Sequence, residues 1–237
     1  MLKPHLQKLL AGESLSMTEA SEAMDIIMGG QATPAQIAGL LVALKQKGET
    51  ADEVAGFVTA MRQHAVKLTL DDADAVDGCG TGGDGAHTFN ISTAAAIVAS
   101  AAGITVAKHG NRSISSQCGS ADLLEAAGGN IDPGPETVRQ NINQGGFGFM
   151  FAPRFHPAMK HAAGPRKELG VRTVFNILGP MSNPAGVTRQ VIGVYDKTLL
   201  PLFVDVLEMT GSKHVIVAHS HDGLDEFSVT APTDYIE

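Results

Sequence analysis

Three helix-start signals in the first part of the chain constrain its fold more than any other feature. Ser16-x-x-Glu19, Thr33-Pro34-x-Gln36 and Thr50-x-x-Glu53 each set a hydroxyl three residues ahead of a Glu or Gln. This is the reciprocal pattern that satisfies free amides at a helix N-terminus. Behind Thr33 the apolar residues Ile37, Leu40, Leu41 and Leu44 keep to one face, and behind Thr50 so do Val54, Phe57, Val58 and Met61. Gly29-Gly30 and Gly48 supply stops. Helices with one apolar stripe must bury it against each other, so residues 1–70 are expected to form an all-helical domain.

From about Asp71 the texture changes. Short apolar runs alternate with helical stretches, punctuated by Gly and Pro, which is the pattern of an α/β domain over 71–237. Strands are expected near 75–76, 104–107, 147–151, 190–195 and 214–218, and helices over 92–102, 120–127, 135–144 and 198–210. Ser92 and Ser120 are the expected N-caps. The stretch 153–186, rich in Gly, Pro, Arg and Asn, is expected to hold loops and short helices.

At 237 residues a chain buries roughly 70% of its unfolded surface and needs no staples. Its two cysteines, Cys79 and Cys118, show no metal-binding or disulfide spacing, and no signal segment is read at the N-terminus. A reduced, cytoplasmic protein is expected. The longest uncharged run, 93–107, is Ala-rich and broken by Gly103, and it falls short of the ~20 apolar residues of a membrane span. It reads as a buried helix leading into a strand. With 17 Lys and Arg against 25 Asp and Glu, the formal charge is −8, which argues against general nucleic-acid binding. Any phosphate site must then be local, built from backbone amides and a few placed cations.

Asp77-Gly-Cys-Gly-Thr-Gly-Gly-Asp-Gly85 is the strongest such candidate. Five glycines at a strand-to-helix junction let amides approach an anion closely. Gly78, Gly80 and Gly83 also fit the dinucleotide fingerprint, but no carboxylate lies in 98–103 to meet a ribose, and His87-Thr88 separate the loop from its helix. No Lys-Ser/Thr follows the glycines, so a Walker A loop is excluded as well. Asn90-Ile-Ser-Thr93 then sets hydroxyls at a helix start, where the macrodipole favours phosphate. After the next strand, Lys108-His-Gly-Asn-Arg-Ser-Ile-Ser-Ser116 gathers two cations and three hydroxyls where open sheets place ligands. Asp225-Glu226, in a Gly-containing loop, is either a solvated acidic turn or a magnesium site shared with substrate phosphates. His219 and His221 lack the further spaced ligands that zinc requires.

Together these segments resemble a family. Gly80-Thr-Gly-Gly-Asp-Gly85, Thr88-Phe-Asn-Ile-Ser-Thr93, Lys108-His-Gly-Asn-Arg112, Gly119-Ser-Ala-Asp122, His156-Pro-Ala-Met159, Arg166-Lys-Glu-Leu-Gly-Val-Arg-Thr-Val-Phe-Asn176, Leu178-Gly-Pro180 and Gly223-Leu-Asp-Glu226 are similar, in order, to the anthranilate phosphoribosyltransferases of tryptophan biosynthesis. The resemblance implies a helical domain, joined by part of 155–186, and a larger domain with a central, mainly parallel sheet, like nucleoside phosphorylases and phosphoribosyltransferases. It implies homodimers through the helical part and no nucleic-acid or membrane partner. The implied reaction joins phosphoribosyl diphosphate and anthranilate, giving phosphoribosyl anthranilate and diphosphate, with Mg²⁺. The implied donor site comprises Gly80, Gly83, Asp84, Thr88, Asn90, Ile91, Ser92, Thr93, Lys108, His109, Gly110, Asn111, Arg112, Ser113, Ile114, Ser115, Ser116 and Ser120. Gly80, His109, Asn111 and Arg166 would meet anthranilate, and Ser92, Asp225 and Glu226 would serve the metal. Lys108, Asn111 and Arg166 would be catalytic.

Family members continue beyond the position of Glu237, so the α/β domain is expected to be cut short at its C-terminus. Met181-Ser182 stands where Leu-Thr is usual. Two rival readings remain on this fold, a pyrimidine nucleoside phosphorylase and a non-catalytic nucleic-acid-binding relative. The Gly82-Gly83-Asp84 loop, the Asp225-Glu226 pair and the acidic charge count against them.

Overall fold

The computed structural model describes residues 1–85, 88–113 and 118–237. The N-terminal part is helical: α1 (Lys3–Leu10), α2 (Met17–Met28), α3 (Pro34–Lys47) and α4 (Ala51–His64). All three capping boxes form, each hydroxyl accepting from the N3 amide while the N3 side chain accepts from the cap. Glu53 does more than cap. It is fully buried, and Lys47 and the Leu15 N–H donate to it, each at 2.9 Å. The α2 and α4 backbones approach closely because residue 56 is Gly, where a Cβ would strike Met17 O and Ala20.

Then follow β1 (Val76–Gly80), α5 (Ile91–Ala101), β2 (Val106–Gly110), α6 (Ser120–Ala126), α7 (Pro135–Gly145), β3 (Phe147–Phe151), α8 (Ala152–Phe155), α9 (Lys160–Leu169), α10 (Phe175–Met181), β4 (Arg189–Gly193), α11 (Leu199–Met209), β5 (His214–Ser220) and β6 (Thr233–Ile236). Among the described residues the sheet has the order β3-β2-β1-β4-β5-β6. Its first five members are parallel, and β6 pairs antiparallel with β5. The chain moves outward from β1 to β3 and then returns to the other side of β1 with β4. That reversal is a topological switch point, and the crevice beyond the carboxyl ends of such strands is where open sheets bind ligands.

One continuous core runs from the bundle through α10 and α11 to β4 and β5. A second lies between α7 and the β2–β3 edge. Contacts of α9 with α2 and α3 tie it to the bundle, and the buried Arg62 of α4 donates to Met181 O (2.9 Å) and Thr210 O (3.0 Å), at the ends of α10 and α11. No helix among the described residues is long and apolar enough to cross a membrane.

Several expectations need correction. β1 runs through the glycines to Gly80, because β4 pairs with it residue by residue as far as Gly193, whatever its intrinsic propensity. Asn90, not Ser92, precedes α5, since the Ser92 amide is engaged by Glu226 (3.1 Å). Gly119, not Ser120, precedes α6, and the Ser120 hydroxyl donates instead to Asn111 O (3.2 Å). α5 is buried along one face only, through Thr93 and Ala96, while Val98 is 68% exposed. β6 was not anticipated, as Thr-Asp-Tyr-Ile carries no clear alternation.

Candidate active site

A cleft of about 820 Å³ opens at the carboxyl ends of β1, β2 and β4. It draws on the glycine loop, the N-terminus of α5, the end of β2, the N-terminus of α6, the C-terminal part of α9 and the Asp225-Glu226 loop. Every expected site residue within the described part lines it, from Gly80 through Ser120 to Arg166, Asp225 and Glu226. Ile114, Ser115 and Ser116 lie outside the described residues.

Asp225 is seated by two glycines. The register pairs Gly80 with Gly193 on adjacent strands. A Cβ on Gly80 would meet the Asp225 carboxylate, and one on Gly193 the Asp225 backbone. So seated, Asp225 accepts the Gly82 N–H at 2.7 Å while Glu226 accepts the Ser92 N–H. Burial raises the Asp225 carboxyl above its ordinary range, with added repulsion from Asp84. Burial, and then Asp225 itself, pushes Glu226 to about 7. Crowded, partly desolvated carboxylates gain from a cation. Among the described residues no three His, Cys, Asp or Glu side chains form a complete metal cage, and Mg²⁺ ordinarily takes one or two carboxylates and completes its shell with phosphates and water.

Lys108 is 1% exposed, and its ammonium donates to Gly78 O at 2.6 Å and reaches Ser92 Oγ at 3.4 Å. Asp77, beneath it, accepts from Asn183 Nδ2 (2.7 Å) and the His109 N–H (3.2 Å). Burial raises the Asp77 carboxyl to about 6 against the opposing pull of Lys108. Arg166, on α9, stands over the Phe175 ring at 5.0 Å and lines the cleft with no carboxylate partner among the described residues. Burial lowers its pKa from the ordinary range. Arg112 behaves differently. Asp122 and Glu125 hold it at 2.8 Å each, so its charge is already compensated.

His109 and His156 stack with ring centroids 5.0 Å apart. Both Nε2 atoms are buried, with no hydrogen-bond partner among the described residues. Burial, and then the neighbouring His156, lowers His109 to about 3, and burial lowers His156 to about 4. The pair is neutral at physiological pH. Burial and the Asp77 charge hold the Cys79 thiol well above its ordinary range, as befits a packing residue.

Sequence reasoning missed Arg172, Tyr195 and Asn176. Arg172 lies over the Tyr195 ring at 4.0 Å and donates to Gly83 O. The only signal was its position within the Arg166–Asn176 motif, since Tyr195 sits outside every motif.

A family model described as the helical bundle domain of a glycosyl transferase family matches residues 3–65, and the a/b domain of that family matches 72–237. Anthranilate phosphoribosyltransferase of Moorella thermoacetica is 55% identical over 233 residues, which are 98% of this chain and 69% of the relative. The crystal structure of anthranilate phosphoribosyltransferase from Thermus thermophilus superposes with a TM-score of 0.90 at 48% identity, covering 94% of this chain and 67% of that one. The Saccharomyces cerevisiae enzyme in complex with PRPP and Mg gives 0.89 at 32% identity, covering 100% and 72%.

Proposed function

The chain belongs to the anthranilate phosphoribosyltransferase family, and from that premise we propose that it transfers the phosphoribosyl group of phosphoribosyl diphosphate to anthranilate, releasing diphosphate. One observation carries the reading: a single cleft holds Lys108, Arg166, which has no carboxylate partner among the described residues, and the crowded pair Asp225-Glu226. An uncompensated buried cation is costly unless its ligand is an anion.

The donor would lie along the Gly80–Asp84 loop and the N-terminus of α5, against Thr88, Asn90, Ser92 and Thr93, with Lys108 facing the departing diphosphate and Ser120 closing the far side. Arg166 would take the acceptor's carboxylate in a planar fork, beside Gly80, His109 and Asn111. His109 and His156, lowered by burial, would add no positive charge beside the acceptor. Ser92, Asp225 and Glu226 would hold Mg²⁺, which supplies charge compensation for the diphosphate as the ribosyl C1 bond loosens. Arg112 is assigned to holding the N-terminus of α6 through Asp122 and Glu125. Catalysis on this reading is positioning and electrostatics.

The two domains would be residues 1–70 with part of 155–186 and the rest of 71–237. Homodimers would form through the helical part, where Leu10 and Val42 present apolar surface. Cys79 and Cys118 are free thiols, and the cytoplasm is proposed as the compartment of the reaction. Phosphorus NMR of a mixture with both substrates and Mg²⁺ tests the reading. One diphosphate should appear for each acceptor consumed. Release of a free base from a nucleoside by inorganic phosphate would overturn it in favour of a phosphorylase.

A further inference from the structure

Three tethers fix the glycine loop after β1. The Thr81 N–H donates to Gly193 O at 2.9 Å. The Tyr195 N–H donates to Thr81 Oγ1 at 3.0 Å, and Asp225 takes the Gly82 amide. All three act on the first half of the loop. At Gly83, with φ +77°, the carbonyl turns toward Arg172, whose guanidinium donates to it. That guanidinium sits over the Tyr195 ring, 4.0 Å from its centroid, so the contact and the hydrogen bond together hold it in place. α9 ends at Gly170 with φ +63°, and Gly170, Val171 and Arg172 line the cleft.

We propose that Arg172 is a positioning residue for the phosphoribosyl donor, a latch that uses Tyr195 as its backstop to hold the Gly83 peptide with its neighbouring amides facing the cleft. The proposal rests on the donor assignment above. A planar fork stacked on an aromatic ring is needed, because a point charge on a flexible stem cannot both stack and aim one donor.

Two readings test the latch. Steady-state kinetics of Arg172→Ala should show the donor KM raised about tenfold or more with the acceptor KM within about threefold, since misplaced amides weaken phosphate contacts. Arg172→Lys should recover little. Tyr195→Phe should stay near the parent, while Tyr195→Ala reproduces Arg172→Ala and the double variant is no worse than either. Hydrogen exchange of the substrate-free protein gives the second reading, with faster exchange of the 78–90 segment in Arg172→Ala and an unchanged bundle. An unaltered donor KM, unaltered exchange over 78–90, or additive effects of the two alanines would overturn the latch. A parent protein without transferase turnover would instead sink the donor assignment, and exchange over 78–90 still decides whether Arg172 holds the loop.

Discussion

Arg166 lines the cleft from α9, stacked on Phe175 and without a carboxylate within the described structure. Its substitution therefore removes an anion's partner and little internal bonding. Arg166→Ala is expected to lose about 2–5 kcal/mol in kcat/KM for the acceptor, as when one partner of a buried charge pair is truncated, with a near-parental melting temperature. Steady-state kinetics with varied acceptor check this. The stacked histidines make a separate pH statement. Both carry folded-state pKa values below the ordinary 6.5, about 3 for His109 and about 4 for His156. The unfolded chain therefore binds protons that the native protein refuses. The histidines' contribution to stability is full above pH 6.5 and falls as pH drops toward 4, at about 1.4 kcal/mol per pH unit for each histidine. The buried carboxyls of Asp77 and Glu226, raised to about 6 and about 7, act in the opposite direction over the same range. The readout is therefore the difference in urea midpoint between the parent and His156→Gln, which should shift against the parent as pH falls from 7 to 4.5. These roles were only partly legible in the sequence. His109 was visible through its place in Lys108–Arg112, but its partner His156 comes from a distant turn. Nothing local to residue 112 announces that Arg112 spends its charge on Asp122 and Glu125.

At the scale of elements, periodicity and capping chemistry read the bundle correctly because both are local. Each hydroxyl and its N3 partner are three residues apart, so no tertiary knowledge is needed. The strands were read less well. β1 and β2 extend through Gly80 and Gly110, residues that a local reading gives to loops, because pairing with Gly193 and Phe151 on the neighbouring strands imposes the extended backbone. Register explains one glycine that no phosphate requires. Gly193 faces Gly80 across the ladder, and together they admit Asp225. Gly193→Ala should displace the Asp225-Glu226 loop, weakening Mg²⁺-dependent donor binding about tenfold or more, a shift of roughly 1.4 kcal/mol. Calorimetric titration of the donor with and without Mg²⁺ measures it, and unchanged affinity would contradict the seating of Asp225 by these glycines.

At the scale of the molecule, the switch point between β1 and β4 brings loops distant in sequence to one crevice. The continuous core from the bundle to β4 and β5, with Arg62 bridging α4 to α10 and α11, fixes that crevice against the helices. The order of motifs along the chain was enough to identify the family. The geometry between them was not, since Asp225 and Gly82 stand 143 residues apart. The most direct test follows the fluorescence of anthranilate after mixing with phosphoribosyl diphosphate, with and without Mg²⁺. The prediction is a magnesium-dependent decay that disappears when Asp225→Ala and Glu226→Ala are combined. No decay in a folded preparation, or a decay indifferent to magnesium and to both carboxylates, would contradict it.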